Sequence, residues 1–268
     1  MRNDGEWHAM MRYVYDVRFG LTTADVYAGK ADGLSADDKV ELGRIVSRLE
    51  QGEPVQYAIG KAEFGGRLFD VEPGVLIPRP ETAELCAWIT DDCRQTPRPK
   101  LRCLDIGTGS GCIAVTLAAE LEQAVVEACD ISVKALDIAR RNARKAGVDI
   151  EFYSKDILAG EISRTGYDLI VSNPPYVCYN ERELMERNVL DYEPPEALFV
   201  PDSDPLLFYR AITRFAAKTL NSHGKLYFEI NPLYASQLTV MLRRHGFDNV
   251  EIRCDSYDRE RFCRAEFI

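Results

Sequence analysis

The spacing of apolar residues changes along the chain from a helical repeat to short apolar runs. Between residues 10 and 49, apolar side chains recur three and four positions apart, which predicts helices, and Ser35 followed by Asp38 is typical of a helix start. Apolar and polar residues alternate over residues 63–71, with Gly65 and Gly66 at a turn, which predicts a hairpin. A helix at 83–90 follows, introduced by proline and acidic residues.

Strand-like and helix-like segments alternate from residue 101 onwards. Short apolar runs predict seven strands, at 101–106, 124–129, 150–153, 167–172, 225–230, 250–254 and 262–268. Helical spacing predicts four helices among them, at 112–121, 133–146, 208–216 and 235–244. Such alternation implies crossover connections and a largely parallel sheet, with the last two strands paired antiparallel at one end.

These elements predict three units along the chain. Residues 1–60 are expected to form a small helical domain, residues 61–78 a β-hairpin linker, and residues 79–268 an α/β domain built on a mostly parallel seven-stranded sheet.

Composition narrows the classes of function. The net charge of −10 argues against broad binding to a phosphate backbone, which requires clustered lysine and arginine. None of the eight cysteines forms a Cys-x-x-Cys pair, so we expect reduced thiols of a cytoplasmic protein and no zinc site. The sequence also predicts neither a secretory signal nor a membrane segment.

A glycine-rich loop follows the first predicted parallel strand. Residues 105–111 read Asp-Ile-Gly-Thr-Gly-Ser-Gly, and glycines there let the backbone approach a ligand closely while the next helix favours a negative group at its start. A dinucleotide fingerprint would place its third glycine at position 112, where Cys112 stands. The loop therefore predicts a bound cofactor other than NAD.

Acidic residues close the next two predicted strands. Asp130 is placed to accept hydrogen bonds from ribose hydroxyls, and Asp156 from the exocyclic amino group of an adenine. Each aspartate alone would equally fit a turn or a helix cap. Together with the glycine loop they predict a nucleoside-containing cofactor at the carboxyl edge of the sheet.

The tetrapeptide Asn173, Pro174, Pro175 and Tyr176 ends the fourth predicted parallel strand. Two prolines cannot continue a central strand, so an asparagine side chain, a proline carbonyl and an aromatic face remain at the strand end. This set can hold a planar amide or amino group. The alternative is an ordinary proline turn with a surface tyrosine.

Six segments of the chain read IPRPET, LDIGTGSGCIAV, ACDIS, SKDI, VSNPPY and YEPPEALF. Together they closely resemble the S-adenosylmethionine-dependent protein-glutamine N5-methyltransferases that modify peptide chain release factors, and the likeness runs from about residue 51 to the C-terminus. NPPY alone also occurs in DNA adenine-N6 and some ribosomal RNA guanine-N2 methyltransferases. The segments IPRPET and EPPEAL narrow the match to the release factor family.

The resemblance implies a Rossmann-like class I methyltransferase fold and a role for each motif. The cofactor S-adenosyl-L-methionine would contact Gly107, Thr108, Gly109, Ser110, Gly111, Asp130, Asp156, Ile157 and Asn173. The glutamine side chain would be held by Asn173, Pro174, Pro175 and Tyr176. No metal is implied.

The sequence departs from the family pattern in four places, at Gly65, Ala83, Ile157 and Asn231. Arg79, between two prolines, fits a ligand contact and a structural clamp equally well.

The resemblance also implies the substrate and the partner. The expected reaction is methylation of N5 of the glutamine in the Gly-Gly-Gln motif of release factors, by a monomer whose helical domain docks the protein substrate. The acidic surface would suit a partner with basic patches. Two alternatives remain open, a nucleic-acid amino methyltransferase acting on adenine-N6 or guanine-N2 and a non-catalytic cofactor-binding module.

Overall fold

The structure is a computed structural model that describes residues 4–96, 98–160 and 164–268. Residues 1–3 of the predicted helical unit, and residues 97 and 161–163 of the predicted α/β unit, lie outside the described residues. Among the helices that the structure describes, none is long and apolar enough to cross a membrane.

Short helices make up the first sixty residues. They are α1 (Asp4–Tyr13), a π-helical turn (Val14–Arg18), α2 (Thr23–Tyr27), a 3-10 turn (Lys30–Gly33), α3 (Ala36–Glu50) and α4 (Val55–Ile59). The predicted start of α3 is confirmed, because the Ser35 hydroxyl accepts a hydrogen bond from the Asp38 amide at 3.1 Å. The helix α4 was not predicted. Pro54 immediately precedes its first turn, since proline is compatible with a helix start.

The predicted hairpin consists of β1 (Lys61–Phe64) and β2 (Arg67–Asp70), paired antiparallel. Its turn places Gly65 at φ +55° and Gly66 at φ +75°, so both central positions need the left-handed conformation that glycine adopts freely. The hairpin docks on the α/β unit through Asn142, whose side-chain oxygen accepts from the Asp70 amide at 2.7 Å and whose NH2 group donates to the Asp70 carbonyl at 3.0 Å.

The α/β unit contains the remaining helices and strands. The helices are α5 (Pro80–Gln95), α6 (Cys112–Glu120), α7 (Val133–Ala146), α8 (Arg187–Tyr192), α9 (Leu207–Thr219) and α10 (Ala235–Arg244). The strands are β3 (Leu101–Ile106), β4 (Ala124–Asp130), β5 (Ile150–Ser154), β6 (Tyr167–Ser172), β7 (Val177–Cys178), β8 (Phe199–Val200), β9 (Leu220–Glu229), β10 (Phe247–Cys254) and β11 (Glu260–Phe267). Short 3-10 turns lie at Ile157–Ala159, Tyr179–Leu184, Pro195–Ala197 and Pro232–Tyr234.

Seven strands form one sheet in the order β10-β11-β9-β6-β3-β4-β5. The strands β5, β4, β3, β6 and β9 pair in parallel, whereas β11 is antiparallel to both of its neighbours. The predicted mostly parallel seven-stranded sheet is therefore confirmed, including the antiparallel pair at one end. The strands β7 and β8 form a separate two-stranded sheet that was not predicted.

Helix α5 is longer than predicted at both ends. Its start at Pro80 follows from the fixed φ of proline at the first helical position. Its last turn carries Asp92, which accepts hydrogen bonds from Tyr227 and Arg264 at 2.5 Å each. These partners are distant in sequence, so the helical pattern could not reveal this extension.

Two apolar layers cover the two faces of the sheet. Consecutive strand residues point to opposite faces, so Cys103 packs with α5 and α6 while Leu104 packs with α9 and α10. With helices on both faces, the β-strand ends that lead into loops remain open at one edge.

Gly111, at the start of α6, is expected to be the most constrained glycine of its loop. It has φ +82°, and an added Cβ would lie 2.9 Å from the Ala139 Cβ on α7. We expect Gly111→Ala to lower the free energy of unfolding by about 2–4 kcal/mol, from backbone strain and overpacking together.

Gly147→Ala is the matched control, because Gly147 has φ +70° but nothing within 4 Å of an added Cβ. Its expected loss is about 1 kcal/mol from backbone strain alone. Urea unfolding of both variants measures the difference, and equal losses would contradict the packing role of Gly111.

Candidate active site

The predicted site segments follow four neighbouring parallel strands. In-register pairs join β3 to β4 at Ile106 and Cys129, β4 to β5 at Cys129 and Tyr153, and β3 to β6 at Asp105 and Val171. The residues that follow these strands therefore lie at one edge of the sheet. That edge carries the glycine loop, Asp130, the segment 156–157 and the Asn-Pro-Pro-Tyr tetrapeptide.

The glycines of the loop have two different structural roles. Gly107 and Gly109 have φ +73° and +56°, and an added Cβ at either position would meet nothing within 4 Å, so the backbone there is open to a ligand. Gly111 instead allows close packing of α6 on Ala139 of α7. Thr108 and Ser110 between them are buried.

Asp130 at the end of β4 holds the loop in place. Its carboxylate accepts hydrogen bonds from the Gly109 amide and the Ser132 amide, both at 2.9 Å. Burial raises the pKa of Asp130, and these amide donors oppose the shift.

Asp156 and Ile157 lie after β5. The strand ends at Ser154, so the expectation that Asp156 ends the strand is wrong by two positions; the last ladder pair joins Ser154 to Asp130. The Asp156 carboxylate is exposed and accepts from the Leu158 amide at 2.8 Å, capping a 3-10 turn. Ile157 is buried in the apolar layer that contains α9.

Asp105 is a buried acid to which the sequence pattern assigned no role. Its Oδ2 accepts from the Thr108 hydroxyl at 2.6 Å and the Ala114 amide at 3.2 Å. Within the described part of the chain, Asp105 Oδ1 and the Ser110 hydroxyl are buried polar atoms without a partner. Burial raises the pKa of Asp105 to about 7. An acidic residue inside the apolar run 101–106 was the available signal.

The Asn-Pro-Pro-Tyr tetrapeptide after β6 is anchored by two side chains, Thr82 and Glu229, that no sequence pattern indicated as site residues. The Asn173 NH2 group donates to the Thr82 hydroxyl at 3.2 Å, and Thr82 donates to Glu229 at 2.5 Å. The Tyr176 hydroxyl donates to the other oxygen of Glu229 at 2.9 Å. The start of α5, the loop after β6 and the end of β9 therefore meet at one buried carboxylate.

Burial dominates the electrostatics of this cluster. Glu229 is 2% exposed, and its burial raises its pKa although Thr82, Tyr176 and Arg261 oppose the shift. Burial also raises the pKa of the Tyr176 hydroxyl, so the phenol remains a neutral donor.

A cavity of about 50 Å³ lies beside the tetrapeptide. Its walls include Asn173, Pro174, Tyr176, Glu229, Arg79 and Leu198. Pro175 is not among its lining residues, so three of the four predicted substrate residues face this space.

Glu193 ties the segment before α5 to the segment after α8. Its buried carboxylate accepts from the Ile77 amide at 3.1 Å and from the Arg79 guanidinium at 2.5 Å. Arg79 therefore acts as a clamp at the rim of the cavity, one of the two roles that its sequence position allowed.

Asn231 shows what one departure from the family pattern does. Its NH2 group donates to the Tyr176 carbonyl at 3.1 Å and to Glu181, and its oxygen accepts from the Leu233 amide at 3.0 Å. The side chain thereby fixes the backbone of Tyr176 to the end of β9.

Comparison with known proteins identifies the family. The family model "Methyltransferase small domain" matches residues 93–190. The release factor glutamine methyltransferase of Bacteroides thetaiotaomicron is 47% identical, covering 92% of this chain and 87% of that protein. The chain belongs to the release factor glutamine methyltransferase family. Another member, from Flavobacterium psychrophilum, is 44% identical and covers 83% of this chain and 79% of its own length.

Solved structures agree with this family in fold. A 16S rRNA N2 methyltransferase from T. thermophilus, in complex with AdoMet and guanosine, superposes with a TM-score of 0.57 at 17% identity, over 78% of this chain and 50% of that one. The α/β unit therefore has the Rossmann-like class I methyltransferase fold.

Asp105 is expected to make stability depend on pH. Its folded pKa of about 7 lies above its ordinary value of 3.8, so the folded state keeps a proton that the unfolded chain releases between these values. The free energy of unfolding should fall as the pH rises through this window, by at most about 1.4 kcal/mol per pH unit from this group.

Urea unfolding at about pH 5 and about pH 7 measures this dependence. We expect Asp105→Asn, which cannot ionise, to lose stability less steeply with rising pH than the unchanged protein. Parallel pH profiles for the two proteins would contradict the raised pKa.

Proposed function

We propose that this protein transfers a methyl group from S-adenosyl-L-methionine to N5 of the glutamine in the Gly-Gly-Gln motif of peptide chain release factors. The observation that carries the proposal is the anchored Asn-Pro-Pro-Tyr tetrapeptide beside a small cavity, at the same sheet edge as the open glycine loop. Relatives that share most of the chain's length carry the name release factor glutamine methyltransferase.

The loop residues fit the cofactor. The open backbone at Gly107 and Gly109 and the unpartnered oxygens of Asp105 and Ser110 offer polar groups to a ligand with charged and hydrogen-bonding parts. In the proposal, cofactor contacts come from Gly107, Thr108, Gly109, Ser110, Gly111, Asp130, Asp156, Ile157 and Asn173. When bound, S-adenosylmethionine supplies a methyl group already activated by its sulfonium.

The tetrapeptide holds the acceptor. A glutamine amide nitrogen is a poor nucleophile because its lone pair is delocalised, so positioning must contribute much of the rate. The Asn173 side-chain oxygen and the Pro174 carbonyl each accept one N–H of the substrate amide and stabilise the positive charge that develops on its nitrogen. Tyr176 stacks on the amide plane. The methyl group would come from the sulfonium of the bound cofactor, and the substrate nitrogen would release its proton to water.

The proposal also assigns the three units and the partner. Residues 1–60 would dock the release factor, residues 61–78 would link the two domains, and residues 79–268 would carry out methyl transfer. The net charge of −10 favours a partner with basic patches over a nucleic-acid substrate. We propose that the protein acts as a cytoplasmic monomer. A non-catalytic module would not need the anchored tetrapeptide.

The first test is transfer of a labelled methyl group from S-adenosylmethionine to a purified bacterial release factor. We expect labelling of the normal factor and none of the factor whose loop glutamine is replaced by alanine. Equal labelling of both would mean a different target residue. Labelling of neither would contradict the proposed substrate, and ribosomal RNA and DNA would then be tried as acceptors.

Asn173→Ala tests the role of the tetrapeptide. Loss of the acceptor oxygen should lower kcat by about a hundredfold to a thousandfold. Cofactor affinity, measured by calorimetry, should change little because the loop supplies most of the proposed contacts. Normal turnover by Asn173→Ala would rule out the proposed mechanism.

A further inference from the structure

Both oxygens of the buried Glu229 carboxylate accept a hydrogen bond from a hydroxyl. Thr82 donates at 2.5 Å and Tyr176 at 2.9 Å. In this pairing the Thr82 hydroxyl is the donor and Glu229 is the acceptor, and a buried carboxyl oxygen without a donor would be costly. The hydrogen of the Thr82 hydroxyl is therefore committed to Glu229.

This commitment fixes the direction of the next hydrogen bond. A threonine hydroxyl has one hydrogen, so once Thr82 donates to Glu229 its oxygen can only accept from a further neighbour. That neighbour is the Asn173 side-chain amide, at 3.2 Å. Only the NH2 end of the amide can donate. The opposite orientation of the amide would place the Asn173 oxygen against the Thr82 oxygen, and two acceptor oxygens without a hydrogen between them repel.

We propose that Thr82 and Glu229 are positioning residues that hold the Asn173 amide with its oxygen turned towards the acceptor nitrogen. The inference rests on the proposed function, because the acceptor is the glutamine amide. Thr82 lies in the first turn of α5 and Glu229 at the end of β9, so two elements outside the tetrapeptide determine which end of Asn173 the substrate meets. Without this restraint, the Asn173 amide would turn its NH2 group towards the N–H of the substrate for part of the time. Two hydrogen-bond donors that face each other repel, so the substrate amide would then be held less well.

Thr82→Val removes the hydroxyl while keeping the shape of the side chain. We expect kcat for methylation of the release factor to fall about tenfold to a hundredfold, because the amide of Asn173 is no longer oriented. The KM for the release factor and the Kd for S-adenosylmethionine should stay within about threefold, since both ligands are held mainly by other groups. Unchanged Kd for the cofactor also shows that the variant is folded.

Two further variants separate orientation from packing. Thr82→Ser keeps the hydroxyl and loses only a methyl group, so it should restore most of the turnover. Thr90→Val is the matched control on the same helix: Thr90 is 5% exposed, and its hydroxyl donates only to the Cys86 carbonyl at 2.8 Å. It removes a buried hydroxyl from α5 without touching Asn173, and its turnover should equal that of the unchanged protein.

A double-mutant cycle tests whether Thr82 acts through Asn173. In the Asn173→Ala background there is no amide to orient, so Thr82→Val should cause no further loss in single-turnover methyl transfer. Wild-type kcat in Thr82→Val, equal losses in Thr82→Ser and Thr82→Val, or additive losses in the double variant would each overturn the inference. Failure of the proposed function differs, because it would appear as absence of transfer by the unchanged protein.

Discussion

The site depends on satisfying one buried carboxylate. Glu229 ends an interior strand of the sheet and is 2% exposed, so leaving its oxygens without donors would be costly. Thr82 and Tyr176 supply the donors. Their hydrogen bonds bring the start of α5 and the loop after β6 to the same point. The geometry of the proposed acceptor site follows from this requirement.

The glycine loop is held by a comparable constraint at the neighbouring strands. Asp105 and Asp130, the acids that flank the loop at the ends of β3 and β4, accept hydrogen bonds from Thr108 and from the Gly109 amide. The buried Asp105 and the half-buried Asp130 thus gain donors from the loop, and these hydrogen bonds fix the path of the loop. Because β3 and β6 are adjacent in the sheet, this fixed loop lies next to the tetrapeptide, as transfer between a bound cofactor and an acceptor requires.

The structure explains two departures from the family pattern, Gly65 and Asn231, and also the role of Arg79, which the sequence left open. Gly65 occupies a left-handed turn position that strongly favours glycine, and Asn231 uses its side chain to hold the Tyr176 carbonyl. Arg79 pairs with Glu193, which stands over a hundred positions later in the chain. Arg79 and Glu193 belong to the motifs IPRPET and YEPPEALF, whereas Gly65 and Asn231 lie outside the six motifs. Their partners could not be read from the motifs, because hydrogen bonds between distant segments leave no periodic signal.

The order and type of the seven strands of the main sheet, and of the long helices that connect them, were determined by the sequence alone, because hydrophobic spacing indicates which residues are buried. The short elements α8, β7 and β8 were not predicted. The glycine loop and the tetrapeptide were also visible, since glycine and proline restrict the backbone locally. Tertiary structure decided the rest. It placed Thr82 and Glu229 beneath Asn173, extended α5 to reach Tyr227, and buried Asp105 with one oxygen unpartnered. The partners in these contacts come from segments that are distant in sequence, and the neighbours of a residue in sequence do not indicate which distant segment it will meet.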